Sequence, residues 1–212
     1  MGGLMTDVKR GYDSSRRQER AIRNRDAALN AAERRFLCDG YTATTIVAVA
    51  GDAGVSAETI YKSFGGKAGL VKAIWERGLA GRGAVPAPQR SDEMQTRESD
   101  PRQIIRNWGQ LTTEVAPRVA PILLLIRSAA AADPEMARLL SETDQQRLQR
   151  MRHNAQALIG YLRPGLSPRA AAEIMWTYSS PDLYDLVVLR RQWPIQRYGR
   201  FIADSMISAL LP

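Results

Sequence analysis

The 212-residue sequence predicts an all-α protein in two parts: an N-terminal three-helix helix-turn-helix domain and a C-terminal helical bundle. Three observations predict it. Apolar residues recur at i, i+3, i+4, i+7 along nearly the whole chain, and strand-like alternation is absent. Glycines at 40, 54 and 65–66 cut the first third into short pieces. In the last half, prolines follow capping Asp or Ser residues, at the helix position where a missing N–H costs nothing.

Residues 1–15 are polar and contain glycine, and read as a flexible basic arm. From Arg16 to Asp39 the residues Ile22, Leu29, Ala32 and Phe36 form one stripe, which Gly40 ends. A short helix near Thr45–Asp52 has Ile46, Val49, Ala50 and Ala53 on one face, and Gly54 breaks it. Ser56 caps another short helix, with Ile60 and Phe64 inward and Gly65-Gly66 at its end. Residues 16–65 are thus the helix-turn-helix domain. A linking helix covers 66–81, with Leu70, Val71, Ile74 and Trp75 apolar.

Residues 82–100 are rich in Gly, Pro and charge, and read as a loop between domains. The second domain, 101–212, follows as a series of longer helices. Asp100-Pro101 opens the first, and Pro121 opens the all-apolar run Ile122–Ile126. Asp133-Pro134 opens a helix to about Leu162, where Pro164-Gly165 stops it. Ser167-Pro168, Ser180-Pro181 and Pro194 open the rest.

Composition narrows the chemistry. The formal net charge is +8, and a basic excess of that size points to an anionic partner. Lys9 to Arg25 holds seven basic residues against Asp13 and Glu19. Cys38 is the single cysteine, expected to pack in an apolar interior, and His153 the single histidine. One of each supplies neither a disulfide nor a metal cluster, and no metal or cofactor is expected. No Ser-His-Asp set or phosphate loop is present, so an enzyme is not expected. No apolar run approaches the ~18–20 residues that span a bilayer, and the N-terminus lacks a signal peptide's apolar region. The expected compartment is the cytoplasm, with nucleoid association if DNA is bound.

Two short helices joined at Gly54 read as a helix-turn-helix or as an ordinary helical hairpin within a bundle. The second leaves Ala57, Glu58, Thr59, Tyr61 and Lys62 outward, which suits insertion into a DNA major groove. The pattern is specific: Thr45-Ile46-x-x-Val49-Ala50-x-x-Ala53-Gly54-Val55-Ser56-x-x-Thr59-Ile60-Tyr61-Lys62-x-Phe64-x-x-Lys67-x-x-Leu70. It closely resembles the DNA-binding signature of the tetracycline-repressor (TetR) family, over roughly residues 17–80. Ser63 departs from it, standing where an aromatic residue or histidine is common.

The resemblance implies a transcriptional regulator, most simply a repressor, released from double-stranded operator DNA by a small organic effector. By it, Thr45, Ser56 and Lys67 would meet phosphates. Ala57, Glu58 and Thr59 would face base edges, Tyr61 the backbone or a thymine methyl, and Lys62 the backbone or a base. Glu58 either selects a cytosine amino group or points away and favours the helix dipole. Arg16 and Arg17, with the arm before them, would follow the DNA backbone or enter a minor groove.

The resemblance also implies an effector pocket among the central helices and a homodimer through the last two long helices, 168–190 and 194–211. Apolar residues Ile174, Met175, Tyr178, Phe201, Ile202, Met206 and Leu210 exceed what one helix pair needs, in keeping with a partner surface. Pocket candidates are Trp108, Thr112, Leu124, Arg127, Met151, Trp176, Tyr178 and Tyr184. Arg127 either binds an anionic effector or pairs with an internal carboxylate. A basic architectural DNA binder without effector is the alternative, and no membrane partner is expected.

Overall fold

In a computed structural model the backbone is described for residues 6–212 and side chains from residue 16 onward. Every regular element among these residues is helical. The chain divides into two units, with the division inside one helix, between Ile74 and Trp75.

The first unit is built on α1 (Thr6–Ala43), α2 (Ile46–Ala53), α3 (Ala57–Phe64) and the first half of α4 (Lys67–Ala80). Helix α1 begins well before Arg16, so the expected arm is helical from Thr6; residues 1–5 lie outside the described residues. Its backbone breaks at Gly40, whose φ of 81° suits glycine. Leu29, Ala32 and Phe36 are buried as the stripe predicts, and so are Ile46 and Val49 of α2, Ile60 of α3 and Leu70 of α4; α1 and α2 are in contact. Phe36 also stacks on Tyr41 at 5.8 Å between ring centres. Two expectations fail here. Ile22 is 54% exposed, although Ala21, Asn24 and Arg25 on either side of it in sequence lie beside α3. Cys38 is exposed too, since two residues past Phe36 is the opposite side of a helix.

The second unit holds the rest of α4, α5 (Ala87–Arg97), α6 (Pro101–Ala130), α7 (Pro134–Gln156), α8 (Pro168–Tyr178), α9 (Pro181–Tyr184) and α10 (Ile195–Leu210). A 3-10 turn follows α7 at Ile159–Tyr161, and α9 runs on as a π-helical stretch, Asp185–Arg190. Asp100, Asp133, Ser167 and Ser180 cap α6, α7, α8 and α9 with their side-chain oxygens, as the proline pattern predicts. Pro121 does not open a helix. Pro117 and Pro121 lie inside the continuous α6, whose buried Val119, Ala120, Ile122, Leu123 and Ile126 offset the lost backbone bonds.

Helix α5 occupies the expected loop 82–100. Little of it is apolar and buried; polar ties fix it. The Arg90 guanidinium donates two bonds, of 2.9 and 2.6 Å, to the Glu114 carboxylate of α6. Arg150 of α7 donates to Asp92 at 2.7 Å, His153 meets the same carboxylate at 3.0 Å, and Gln95 donates to Asn154 at 3.1 Å.

Glu114 also accepts the Arg82 backbone N–H. Arg90, and after it that N–H, holds the Glu114 carboxyl down at about 2 against an ordinary 4.5. A folded-state value below the unfolded one contributes stability that is complete above pH 4.5 and lost as pH falls toward 2. Glu114→Gln is therefore expected to cost about 1–2 kcal/mol near neutral pH. The gap to the parent should narrow on acidification through that window, as read by urea unfolding at a series of pH values.

The core of this unit joins Ile104, Ile105 and Trp108 of α6 to Met175 of α8 and Tyr198, Ile202, Met206 and Leu210 of α10. This corrects the expected apolar surplus. Met175, Ile202, Met206 and Leu210 are buried inside one chain, while Ile174, Tyr178 and Phe201 are half-buried. The exposed apolar side chains of this region are instead Leu186 and Leu189, on the π-helical stretch.

Candidate functional site

The turn between α2 and α3 is fixed by local chemistry. Thr45 caps α2, its hydroxyl accepting from the Ala48 N–H at 3.1 Å. Gly54 ends α2 in the left-handed region at φ 66°, ψ 30°. Ser56 caps α3 by accepting from the Thr59 N–H at 3.1 Å, and its hydroxyl shares a 2.8 Å bond with the Thr59 hydroxyl. Gly65 ends α3, again left-handed. Arg35 of α1 grips Asp52 of α2 with two bonds, of 2.6 and 2.9 Å, and holds its carboxyl below the usual range.

These devices present one side of α3. Ile60 is wholly buried, whereas Glu58, Tyr61 and Lys62 are exposed and Ala57 and Thr59 half-buried. Tyr61 is 56% exposed, unusual for a tyrosine without a packing duty. Phe64 is half-buried and lies under the Arg25 guanidinium, 4.5 Å from its ring centre. Arg25 also donates to the Ser63 carbonyl at 3.4 Å, a tie between α1 and α3 that sequence reading missed. Lys67 is half-buried, with its ammonium 4.2 Å above the Tyr41 ring. Thr45, Ser56, Arg16 and Arg17 are exposed.

In the second unit the helices surround a cavity of about 340 Å³. Of the pocket candidates, Trp108, Thr112, Met151, Tyr178 and Tyr184 line it. Leu124, Arg127 and Trp176 do not. Leu123 lines it instead of Leu124, one residue being 100° around a helix. Arg127 is exposed and pairs with Asp182, so its carboxylate is at the surface. Trp176 lies beneath Arg147, 4.2 Å from that guanidinium. Arg147 and Arg150 line the cavity, and sequence reading missed both because charges on a polar helix look like a solvated face. Tyr184 and Tyr198 meet edge to face at 5.6 Å, and burial, with the neighbouring Tyr184, pushes the Tyr198 phenol up to about 12.

A glycine-turned pair of short helices, with a capped second helix bared on one side, defines a helix-turn-helix DNA-binding protein. Residues 28–74 match the family model "Bacterial regulatory proteins, tetR family". By this match the chain carries a DNA-binding domain of the TetR type. No curated protein sequence matches the chain.

Solved structures share its fold at low identity. NalD, the secondary repressor of the MexAB-OprM multidrug efflux pump in Pseudomonas aeruginosa, superposes with a TM-score of 0.70 at 20% identity, covering 91% of this chain and 98% of NalD. SmeT, repressor of the Stenotrophomonas maltophilia multidrug efflux pump SmeDEF, gives 0.64 at 20%, over 89% and 90%. A SmeT–triclosan complex gives 0.68 at 20%, over 89% and 92%. Among the described residues no helix is long and apolar enough to cross a membrane.

Proposed function

We propose that this protein is a cytoplasmic homodimeric repressor that binds operator DNA through α3 and leaves it when a small organic molecule fills the second-unit cavity. The observation that carries the reading is α3 itself. It is capped at both ends, anchored by one buried side chain, and exposed at Glu58, Tyr61, Lys62 and Ser63 beside a basic helix. Titratable and aromatic groups so exposed have no packing role, and their types match groove and phosphate contacts. Thr45, Ser56 and Lys67 are the proposed phosphate contacts, and Ala57, Glu58, Thr59, Tyr61 and Lys62 the groove face. Arg16 and Arg17 extend the basic surface along α1.

The effector step is proposed from continuity of one helix. The first half of α4 carries Lys67, and Trp75 and Leu79 of its second half line the cavity. A ligand that prefers one setting of α4 shifts the population of DNA-competent dimers. Titration of a selected operator complex with efflux-pump substrates tests release. A triclosan complex is known for the similarly folded SmeT, which makes triclosan a reasonable first probe. The dimer is proposed through α8, the π-helical stretch with Leu186 and Leu189, and α10.

Selection of bound genomic fragments followed by footprinting tests the DNA reading. A repressor dimer yields a short pseudo-palindrome whose half-sites lie about 34–36 Å apart. A diffuse AT bias would instead mark an architectural protein and overturn the proposal. On the selected operator, Lys62→Ala should weaken binding and reduce the slope of log affinity against log salt by about 1. Removing residues 1–15, which takes away Lys9 and Arg10, should flatten the slope further.

A further inference from the structure

The cavity's polar lining is one-sided. Among the described residues its walls include Arg147 and Arg150 but no aspartate or glutamate. Two residues of its wall each carry a buried donor with no acceptor, the indole N–H of Trp108 and the Nε–H of Arg147. Trp108 is 7% exposed. A buried donor left without an acceptor is costly, and a ligand that supplies one relieves that cost.

The two arginines differ. Arg150 is balanced by Asp92, whose carboxyl it holds below the usual range. Arg147 has committed its outer nitrogens to structure. Nη1 donates to the Trp176 carbonyl at 2.7 Å and the Ser179 hydroxyl at 3.1 Å, and Nη2 to Asp144 at 3.1 Å. Stacked on Trp176, the guanidinium is fixed in place with its Nε–H left over. Burial pulls its pKa down, which means the charged form is under-compensated where it sits. The Tyr198 phenol stays protonated, so it adds no negative charge. The rest of the wall is largely apolar, from Leu111, Val115 and Leu123 to Met151, Met175 and Ile202.

Taking the cavity as the effector site proposed above, we infer that its ligand is an apolar molecule with a single carboxylate, its head accepting from Arg147 with Trp108 as the second donor. A cation is disfavoured by Arg147, and a neutral apolar molecule leaves the two donors unanswered. The volume falls at the small end of the ~300–1,000 Å³ typical of ligand sites, so the molecule is compact.

The test compares three probes that share one chain and differ in head: decanoate, decanol and decyltrimethylammonium. Each is titrated into the full-length protein below its micelle concentration, with binding read by calorimetry. Decanoate is expected to bind at least about tenfold more tightly than decanol, the worth of a charge-assisted bond, with the ammonium weakest. Trp108→Phe keeps the ring and removes the donor, and should reduce the decanoate preference severalfold. Arg147→Gln should abolish it, and circular dichroism checks that this variant folds. Decanol or the ammonium binding as tightly as decanoate overturns the carboxylate inference while leaving the cavity reading intact. Saturation by none of the three overturns the inference as well. The cavity reading falls separately if Thr112→Trp, which fills the space, leaves binding of all three unchanged.

Discussion

Gly109→Ala is expected to destabilise the second unit by about 3 kcal/mol, the upper part of the range for overpacking a filled core. A Cβ at Gly109 on α6 would stand 2.5 Å from the Gly199 carbonyl oxygen and 2.7 Å from the Ala203 Cβ, both on α10. The reverse substitution is as tight. A Cβ at Gly199 would stand 2.6 Å from the Gly109 carbonyl and closer still to the Thr113 methyl. Backbone rather than a flexible side-chain end blocks each site, so the two helices must separate to admit even one methyl group.

For a chain of this size that cost lowers the melting temperature by about 6–12 °C. Thermal unfolding followed by circular dichroism reads it. The pair Gly109→Ala with Gly199→Ala should cost less than the sum of the singles, because one separation of the helices serves both. Gly160→Ala is the control, with nothing within 4 Å of its added carbon. Trp108 and Tyr198, each next to one of these glycines, line the cavity, so ligand affinity should fall along with stability. A parent-like melting temperature for Gly109→Ala would show that α6 and α10 are not in contact there.

That contact has no signature in the sequence, since two glycines ninety positions apart carry no mutual pattern. What was legible is what is local. Gly54 and Gly65 end helices because the left-handed region favours glycine, and Ser56 caps α3 because its oxygen reaches an N–H three residues on. The helix-turn-helix is built from such short-range rules, so its approximate boundaries and the buried Ile60 could be read directly, whereas Phe64, also expected inward, is only half-buried.

Tertiary polar pairing was not legible. Helix α5 has no apolar period because Arg90–Glu114, Asp92–Arg150 and Gln95–Asn154 hold it, each joining residues far apart in sequence. The cavity was legible only in part, for the same reason. Aromatic and Met residues near its walls could be named, but the choice between Leu123 and Leu124 depends on the rotation of α6. Arg127 is expected at the cavity because it follows an apolar run, yet Arg147 is the more buried of the two arginines there, stacked on Trp176. An arginine's burial depends on what faces it, and Trp176 is on another helix.

Ile60→Ala should separate the two activities. Ile60 is the one buried side chain of α3 and has no solvent exposure. Truncating a buried isoleucine costs about 2–5 kcal/mol. Helix α3 has 8 residues, too few to persist in water without docking. The Ser56 cap and the Gly65 stop fix where it begins and ends but not whether it stays packed, so the loss falls on the docked state of α3. The fraction of molecules with a competent recognition helix drops, and apparent operator affinity drops by that fraction, an expected loss of at least about tenfold. Because Ile60 is neutral, affinity should fall equally at every salt concentration, whereas Lys62→Ala changes the slope. Tyr61→Ala, at an exposed site, should weaken binding without lowering stability. Decanoate binding in the second-unit cavity should be unaffected by Ile60→Ala, since no part of α3 lines it. Operator binding that survives Ile60→Ala at parental strength would mean that α3 is not the element that reads DNA.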